Sequence, residues 1–261
     1  TVPNPSEVVH NEIGISSVAE AACIFSAGNG YKLIQEKKIF KTNDSNETTG
    51  ALTLAIAESM TQYAPHKGEV HIIGSGPGDL SYLTNDAKKA LSECPVWIGY
   101  KMYLNILKPI KRQDQIIIES ELTQEKERCL KAIKLAEEGI KVALISSGDA
   151  GIYGMAGLCL ELIQLIEKSY RPSFQIHPGL SSMQLAASLV GAPLMNDFCS
   201  ISLSDKLTPW KTIEKRIEGA ILSDFVLVIF NPRSKDRDWQ LQKAVKMILN
   251  TRKSSTPVLL A

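Results

Sequence analysis

From Val70 onward, apolar residues fall into short runs of strand length, separated by longer stretches with helical periodicity. The runs are VHIIG, VWIG, IIIES, KVALIS, FQIH, CSISL, DFVLVIF and PVLL. Such alternation predicts an α/β fold with largely parallel pairing. KVALIS and DFVLVIF are almost unbroken apolar runs, as in parallel strands covered on both faces. TQEKERCLKAIKLAEEG typifies the intervening helices: Thr123 is expected to cap it, Leu130, Ile133 and Ala136 recur on one face, and Gly139 ends it.

Residues 1–64 differ. SSVAEAACIFSAG reads as a helix with Ser16 or Ser17 as N-cap, Glu20 in the first turn and Gly28 as C-cap. YKLI and ALTLAIAES read as strands or short buried runs around the polar loop KTNDSNETTG, and APHKG as a linker. The expected divisions are 1–64, 69–177 and 178–261, with a break at His177-Pro178-Gly179. The chain starts at Thr1 without Met and stops at Ala261, directly after the strand-like PVLLA, so both ends are read as cuts from a longer protein.

Composition narrows the classes. A chain of 261 residues, 44% hydrophobic and 22% charged, can bury a sizeable core without disulfides. A net charge of +1 gives no electrostatic case for nucleic acid or an anionic membrane. The five cysteines, Cys23, Cys94, Cys129, Cys159 and Cys199, form no CxxC pair, and the four histidines do not cluster in the sequence, so no metal site is expected. Scattered cysteines, no long apolar span and no leader in TVPNPSEVV together point to a cytoplasmic protein.

Polar residues gather where the apolar runs end. Gly74-Ser75-Gly76-Pro77-Gly78-Asp79 follows VHII. It misses the dinucleotide fingerprint, because the third glycine of GxGxxG would fall at Asp79, and the next strand ends in Trp97-Ile98-Gly99 without an acid for a ribose. Taken alone it is a tight β-to-α turn. Ser146-Ser147-Gly148-Asp149-Ala150-Gly151-Ile152-Tyr153-Gly154 follows another buried run; as a plain turn it would use Asp149 as a helix cap, but the helix is expected to start later, near Met155, which favours a ligand loop. In His177-Pro178-Gly179-Leu180-Ser181-Ser182-Met183-Gln184 the serines can cap a helix or contact a ligand, and the cap is the simpler role. Ser202-Leu203-Ser204-Asp205-Lys206-Leu207-Thr208-Pro209-Trp210 and Phe230-Asn231-Pro232-Arg233-Ser234 are ligand loops or solvated turns.

In order, GSGPGD, GYKMYL, SSGDAGIYG, HPGLSSMQLAA, LSDKLTPW and FNPRS resemble the tetrapyrrole methylase family over residues 69–261. LSDKLTPW, FNPRS and DAGIYGMAG are similar to its precorrin-3B C17-methyltransferase branch, whose anaerobic counterpart acts on cobalt-factor III. Residues 1 to about 60 (PNPSEVV, GISSVAEAACIFSAG, LTLAIA) resemble the carboxyl end of the small cobalamin-biosynthesis domain found in cobalt-precorrin-5A hydrolase proteins.

The resemblance implies a two-subdomain α/β fold with mostly parallel sheets, a cleft between the subdomains, and a partial N-terminal α/β segment. It implies a homodimer that transfers a methyl group from S-adenosylmethionine to C17 of a tetrapyrrole, with ring contraction. Carried over by motif, Pro77, Gly148, Asp149, Ile152, Ser181, Ser182 and Asn231 would hold S-adenosylmethionine, with a further contact just after PVLLA. Lys206, Trp210 and Arg233 are candidates for the polyanionic substrate, on the side of the cleft that LSDKLTPW and FNPRS face. Ring contraction needs proton transfers, for which Asp79, Tyr100, Lys101 and Asp205 are candidates. Uroporphyrinogen methylases carry an Asp after the second strand; Tyr100 stands at the matching position here, followed by Lys101. The competing readings are another methylase of this fold acting on a different precorrin, on RNA or on protein, and a truncated, non-catalytic fragment.

Overall fold

A computed structural model describes residues 2–14, 16–27, 32–41, 51–58, 67–234 and 238–260. The chain divides into two compact units, Thr1–His66 and Lys67–Ala261.

In the first unit α1 (Glu7–Ile13) starts at Ser6, whose hydroxyl accepts from the Val9 N–H, and ends at Gly14 with φ 74°. Helix α2 (Val18–Ala27) carries Glu20 in its first turn. Ser17 precedes it and its carbonyl accepts from Ala21, but the buried Ser17 hydroxyl has no partner among the described residues, so it makes no side-chain cap. The Glu20 carboxylate instead accepts from Asn4 at 2.9 and 2.8 Å and from the Lys37 N–H at 2.9 Å, tying α2 to the flanking segments. Strands β1 (Lys32–Lys41) and β2 (Ala51–Glu58) pair antiparallel. The expected Gly28 cap, the 42–50 loop and most of the APHKG linker lie outside the described residues.

The second unit is built on a parallel sheet of β3 (Glu69–Gly74), β4 (Val96–Tyr100), β5 (Ile116–Ser120), β6 (Lys141–Ser146) and β7 (Ser173–His177), in the order β5-β4-β6-β3-β7. Successive side chains of a strand point to opposite faces, so each buried strand feeds two cores. On one face Val70, Ile72, Ile98, Val142 and Leu144 pack against Cys129, Ala132 and Ile133 of α5 (Glu125–Glu137) and Cys159 and Ile163 of α6 (Ala156–Gln164). On the other, Ile73, Trp97 and Ile145 meet Ala87 and Leu91 of α3 (Asn85–Glu93) and Leu104 and Leu107 of α4 (Lys101–Leu107). Trp97 is fully buried, and its indole N–H donates to the Leu91 carbonyl at 3.0 Å.

Helix α5 departs from expectation at two points. Thr123 takes a left-handed φ of 69° and does not cap; Gln124 is the N-cap, without a side-chain cap bond, and its amide oxygen accepts from Glu121 N–H. The buried face is Cys129, Ala132, Ile133 and Ala136, with Leu130 exposed, because the helix meets the sheet one residue earlier than the Leu130 spacing implies. Its end is as expected: Gly139, at φ 92°, donates to Ala136 and Ile140 donates to Leu135, the paired bonds of a Schellman turn.

After α7 (Ser182–Leu189), strands β8 (Phe198–Ser202) and β9 (Val226–Phe230) form a separate parallel pair. Helices α8 (Trp210–Leu222) and α9 (Trp239–Leu249) share a core with it, built on Ile201, Ile213, Ile217 and Ala244 with Leu227 and Ile229 against them. Every residue of β9 is only half-buried, so DFVLVIF is not covered on both faces as its composition suggests; a two-stranded ladder offers less cover than the five-stranded sheet gives β6. PVLL forms no strand either: no ladder pairs it among the described residues, and Val258 and Leu260 stand exposed.

Replacing Ile72, which is fully buried at the centre of the first core, with alanine is expected to cost about 2–5 kcal/mol. Urea unfolding should show this as a lower midpoint with an unchanged slope.

Candidate functional site

Strands β6, β3 and β7 lie side by side and run in one direction, so the three glycine loops that follow them emerge together at the carboxyl edge of the sheet. This edge is where open α/β sheets bind ligands. The loops are fastened backbone to backbone. Gly76 and Gly148 exchange N–H···O bonds of 3.1 and 2.9 Å, and Ser75 N–H donates to Ser146 at 2.8 Å. A Cβ on Gly74 would lie 2.6 Å from the Gly179 nitrogen and 2.7 Å from the Gly148 oxygen, and a Cβ on Gly179 would collide with the Gly148 oxygen. Glycine is required at these contacts for want of room. Gly76, Gly78 and Gly148 take positive φ, and beyond Gly148 the nearest atoms, in Leu180 and Ser181, stand 3.9 Å from where a Cβ would be. The result is a cradle of bare backbone, suited to a ligand held by N–H and C=O groups.

Asp149 ties the second loop to the third. One carboxylate oxygen accepts from Gly151 N–H at 2.8 Å, the other from Gly179 N–H at 3.0 Å. It does not cap α6, whose N-cap is Met155. Ser181 is buried at the N-cap of α7, and the Gln184 side chain accepts from its N–H at 2.9 Å; Ser182 is exposed as the first helical residue. Thr84, the N-cap of α3, donates its hydroxyl to the Pro178 carbonyl at 3.1 Å.

Parallel pairing of β8 and β9 brings LSDKLTPW and FNPRS to one edge in the same way. Leu203 N–H donates to the Phe230 carbonyl at 2.9 Å, and the Asn231 amide donates to the Ser202 hydroxyl at 3.0 Å. Asn231 takes a φ of 49°. Tyr153 joins the two edges: its hydroxyl donates to the Ser200 carbonyl at 2.8 Å, and its ring lies 5.0 Å from that of Phe230. The loop carrying Gly148, Asp149 and Ile152 therefore reaches β9 just before Asn231. Tyr153 was not among the site residues expected from sequence; a lone aromatic residue inside the glycine-rich loop DAGIYG was the available signal.

The candidate acids and bases separate by environment. Asp79 is exposed and caps a short 3₁₀ turn, accepting from Ser81 N–H at 2.7 Å; the Ser81 hydroxyl, then this N–H, hold its carboxyl below the usual range. Asp205 accepts from the Gln240 amide at 3.1 Å, which ties it to α9. Tyr100 and Lys101 stand at the carboxyl end of β4, where Tyr100 packs edge-on to Tyr103 and Lys101 is exposed. Lys206 and Arg233 are exposed. Trp210 packs against the α8–α9 core at the start of α8, edge-on to Trp239 with ring centres 4.9 Å apart and with Lys243 above both rings.

The histidines correct the sequence reading, in which they did not cluster. His71 and His177 are in contact, because β3 and β7 are adjacent strands. Among the described residues no group of His, Cys, Asp and Glu could hold a metal ion, and no helix is long and apolar enough to cross a membrane.

Residues 69–261 match the family described as Tetrapyrrole (Corrin/Porphyrin) Methylases, and residues 1–57 match the Cobalamin synthesis G C-terminus. The chain is 45% identical over 196 residues to a cobalt-factor III methyltransferase of Priestia megaterium, an alignment covering 74% of this chain and 36% of that longer protein. It is 46% identical over 187 residues to a probable cobalt-factor III C(17)-methyltransferase of Salmonella typhimurium, covering 72% and 76%. The crystal structure of the methyltransferase CobJ superposes with a TM-score of 0.66 at 32% identity, covering 71% of this chain and 77% of that one.

Asp149→Ala should strand the Gly151 and Gly179 N–H groups. Loss of hydrogen bonds to a charged acceptor is expected to lower stability by about 1.5–3 kcal/mol, with faster hydrogen exchange at the Gly179 amide. Gly179→Ala should cost about 1–3 kcal/mol by forcing the loops apart. Denaturant titration of both variants provides the check.

Proposed function

The chain belongs to the tetrapyrrole methylase family, and from that membership we propose that it transfers a methyl group from S-adenosylmethionine to C17 of cobalt-factor III, with the associated ring contraction. The observation that carries this reading is the bare-backbone cradle of three glycine loops, joined through Tyr153 to the edge that bears LSDKLTPW and FNPRS. The names of the two relatives at 45% and 46% identity favour the cobalt-containing substrate over precorrin-3B. Residues 69–177 and 178–261 serve as the two methylase subdomains, and residues 1–64 as a partial hydrolase-like segment.

S-adenosylmethionine supplies a methyl group on a positively charged sulfur. Such a donor needs alignment with a carbon nucleophile more than it needs a strong base, and fixing two reactants at attack distance can lower a barrier by roughly 7–11 kcal/mol. Pro77, Gly148, Asp149, Ile152 and Ser181 would hold the donor from the first edge, with Ser182 at the start of α7 and Asn231 from the second. With its carboxylate already committed to Gly151 and Gly179, Asp149 would act by fixing the loop, leaving backbone groups to face the ligand. Exposed Lys206 and Arg233 offer cationic donors to the carboxylates of the macrocycle. For the proton transfers of ring contraction, Tyr100 and Lys101 remain the better candidates, since Asp79 is held as a cap and Asp205 faces Gln240. Exposed Phe174 and Ile176, on one face of the edge strand β7, give apolar surface that a second copy of the chain would cover in a homodimer. Such an enzyme would work in the cytoplasm.

Calorimetry should show binding of S-adenosylhomocysteine and none of NAD; the reverse would overturn the reading. Labelled S-adenosylmethionine should transfer its methyl to cobalt-factor III in preference to precorrin-3B. Arg233→Ala should weaken tetrapyrrole binding by about 1.5–3 kcal/mol and leave affinity for the donor nearly intact. If it abolished donor binding and spared the tetrapyrrole, the two halves of the site would be exchanged.

A further inference from the structure

A polar chain runs beneath the site, on the α3 face of the sheet. Glu69 Oε2 lies 3.0 Å from His71 Nε2, His71 Nδ1 lies 2.9 Å from His177 Nε2, and His177 Nδ1 lies 2.6 Å from Asp86 Oδ2. Both imidazoles are buried, and the rings meet end to end, with centres 5.1 Å apart and planes 17° from parallel. Of the other charged groups on the neighbouring elements, Lys141 of β6 lies 3.3 Å from Glu69, α3 carries Lys88, Lys89 and Glu93 besides Asp86, and β7 carries no ionisable side chain besides His177.

The protons can be counted. An ionised carboxylate only accepts. Glu69 is kept ionised: the hydrogen bond from His71 and the neighbouring Lys141 hold its carboxyl below the usual range, against the opposing effect of burial. The outer nitrogens, His71 Nε2 and His177 Nδ1, therefore carry hydrogen toward their carboxylates. Two neutral imidazoles in that state would oppose lone pair to lone pair across 2.9 Å, too close for a water between them. One further proton between His71 Nδ1 and His177 Nε2 turns that contact into a hydrogen bond. The four ring nitrogens then carry three protons, and the single positive charge lies between two carboxylates.

We propose that His71 and His177 are positioning residues sharing this proton, and that it holds the 177–182 loop against the other two loops of the site; its bearing on the methyl donor rests on the function proposed above. The mechanical link is short. His177 is followed by Pro178, whose carbonyl is held by Thr84, and then by Gly179, whose N–H is held by Asp149. Proline's fixed φ leaves little slack between the imidazole and Gly179. Without the shared proton, either the rings separate or one of them gives up its carboxylate, and either change pulls on Gly179. The contact needs that proton, so what it contributes is present where the proton is bound and is lost at higher pH, where the proton has been removed.

His71→Asn separates this proposal from plain packing, since an amide N–H near the position of ring Nδ1 can donate to His177 without an added proton. Between about pH 6 and about pH 9, the wild-type protein should lose roughly tenfold in S-adenosylhomocysteine affinity, about 1.4 kcal/mol, while the asparagine variant should change little. A variant that keeps the wild-type pH profile, or a wild-type profile that is flat, overturns the proposal. Nitrogen-15 NMR of labelled histidine reads the proton without any ligand: three protonated ring nitrogens out of four are expected at neutral pH, and two neutral rings would refute it. If S-adenosylhomocysteine binds at no pH, the proposed function fails, and the NMR count still decides the fate of the pair.

Discussion

Three backbones meet without side chains between them, and the rest of the second unit is arranged around that contact. Gly74, Gly148 and Gly179 lie at the ends of or just beyond three neighbouring parallel strands, so close that a single methyl group at Gly74 or Gly179 would collide with a neighbouring backbone. Such an approach needs strands in fixed register, and fixed register needs the two apolar layers that clamp the sheet from both faces. The core, in this view, exists at a precision set by the loops.

Polar side chains near the edge are mostly occupied in holding those loops. Asp149 spans two of them, Thr84 holds one of the same two at Pro178, Asp79 caps a turn and Ser181 begins a helix. Arg128 does similar work from below: its buried guanidinium donates to the Ser120 hydroxyl at 2.6 Å and the Glu121 carbonyl at 2.9 Å and touches the Met155 sulfur at 3.2 Å, which fixes the residue that opens α6. A buried cation satisfied by neutral acceptors keeps its charge uncancelled close to the loop that ends at Met155. Chemistry at this edge would therefore be carried mainly by backbone and by the few exposed groups, Lys101, Lys206 and Arg233.

Much of this was legible in the chain. Buried parallel strands announce themselves by composition, and loops at their carboxyl ends by glycine; KVALIS followed by SSGDAGIYG carries both signals within fifteen residues. Local signals failed where tertiary contact decides. Thr123 looked like a cap until the chain required a left-handed turn there, and Leu130 had the right spacing for a face that the helix turned away. PVLL had strand composition and found no strand to pair with among the described residues. The contact of His71 with His177 was beyond reading, since 106 residues separate them and only the strand order β3-β7 joins them. Asp149 stood out as a candidate in the sequence while its bond to Gly179 did not, because Gly179 lies thirty positions away.

The three tryptophans are divided between these cores in a way that makes the protein its own reporter. Trp97 is sealed in the five-stranded sheet with its indole N–H bonded to Leu91, whereas Trp210 and Trp239 form an edge-to-face pair on the other sheet, with Trp239 45% exposed. The first, fully buried, is expected to emit to the blue and to be shielded from aqueous quenchers. Trp239, partly wetted and lying under the Lys243 ammonium, is expected to emit further to the red and to be open to iodide, while Trp210 packs against the α8–α9 core. Light from one chain thus carries two separable records, one of each layer's integrity, without a label being attached.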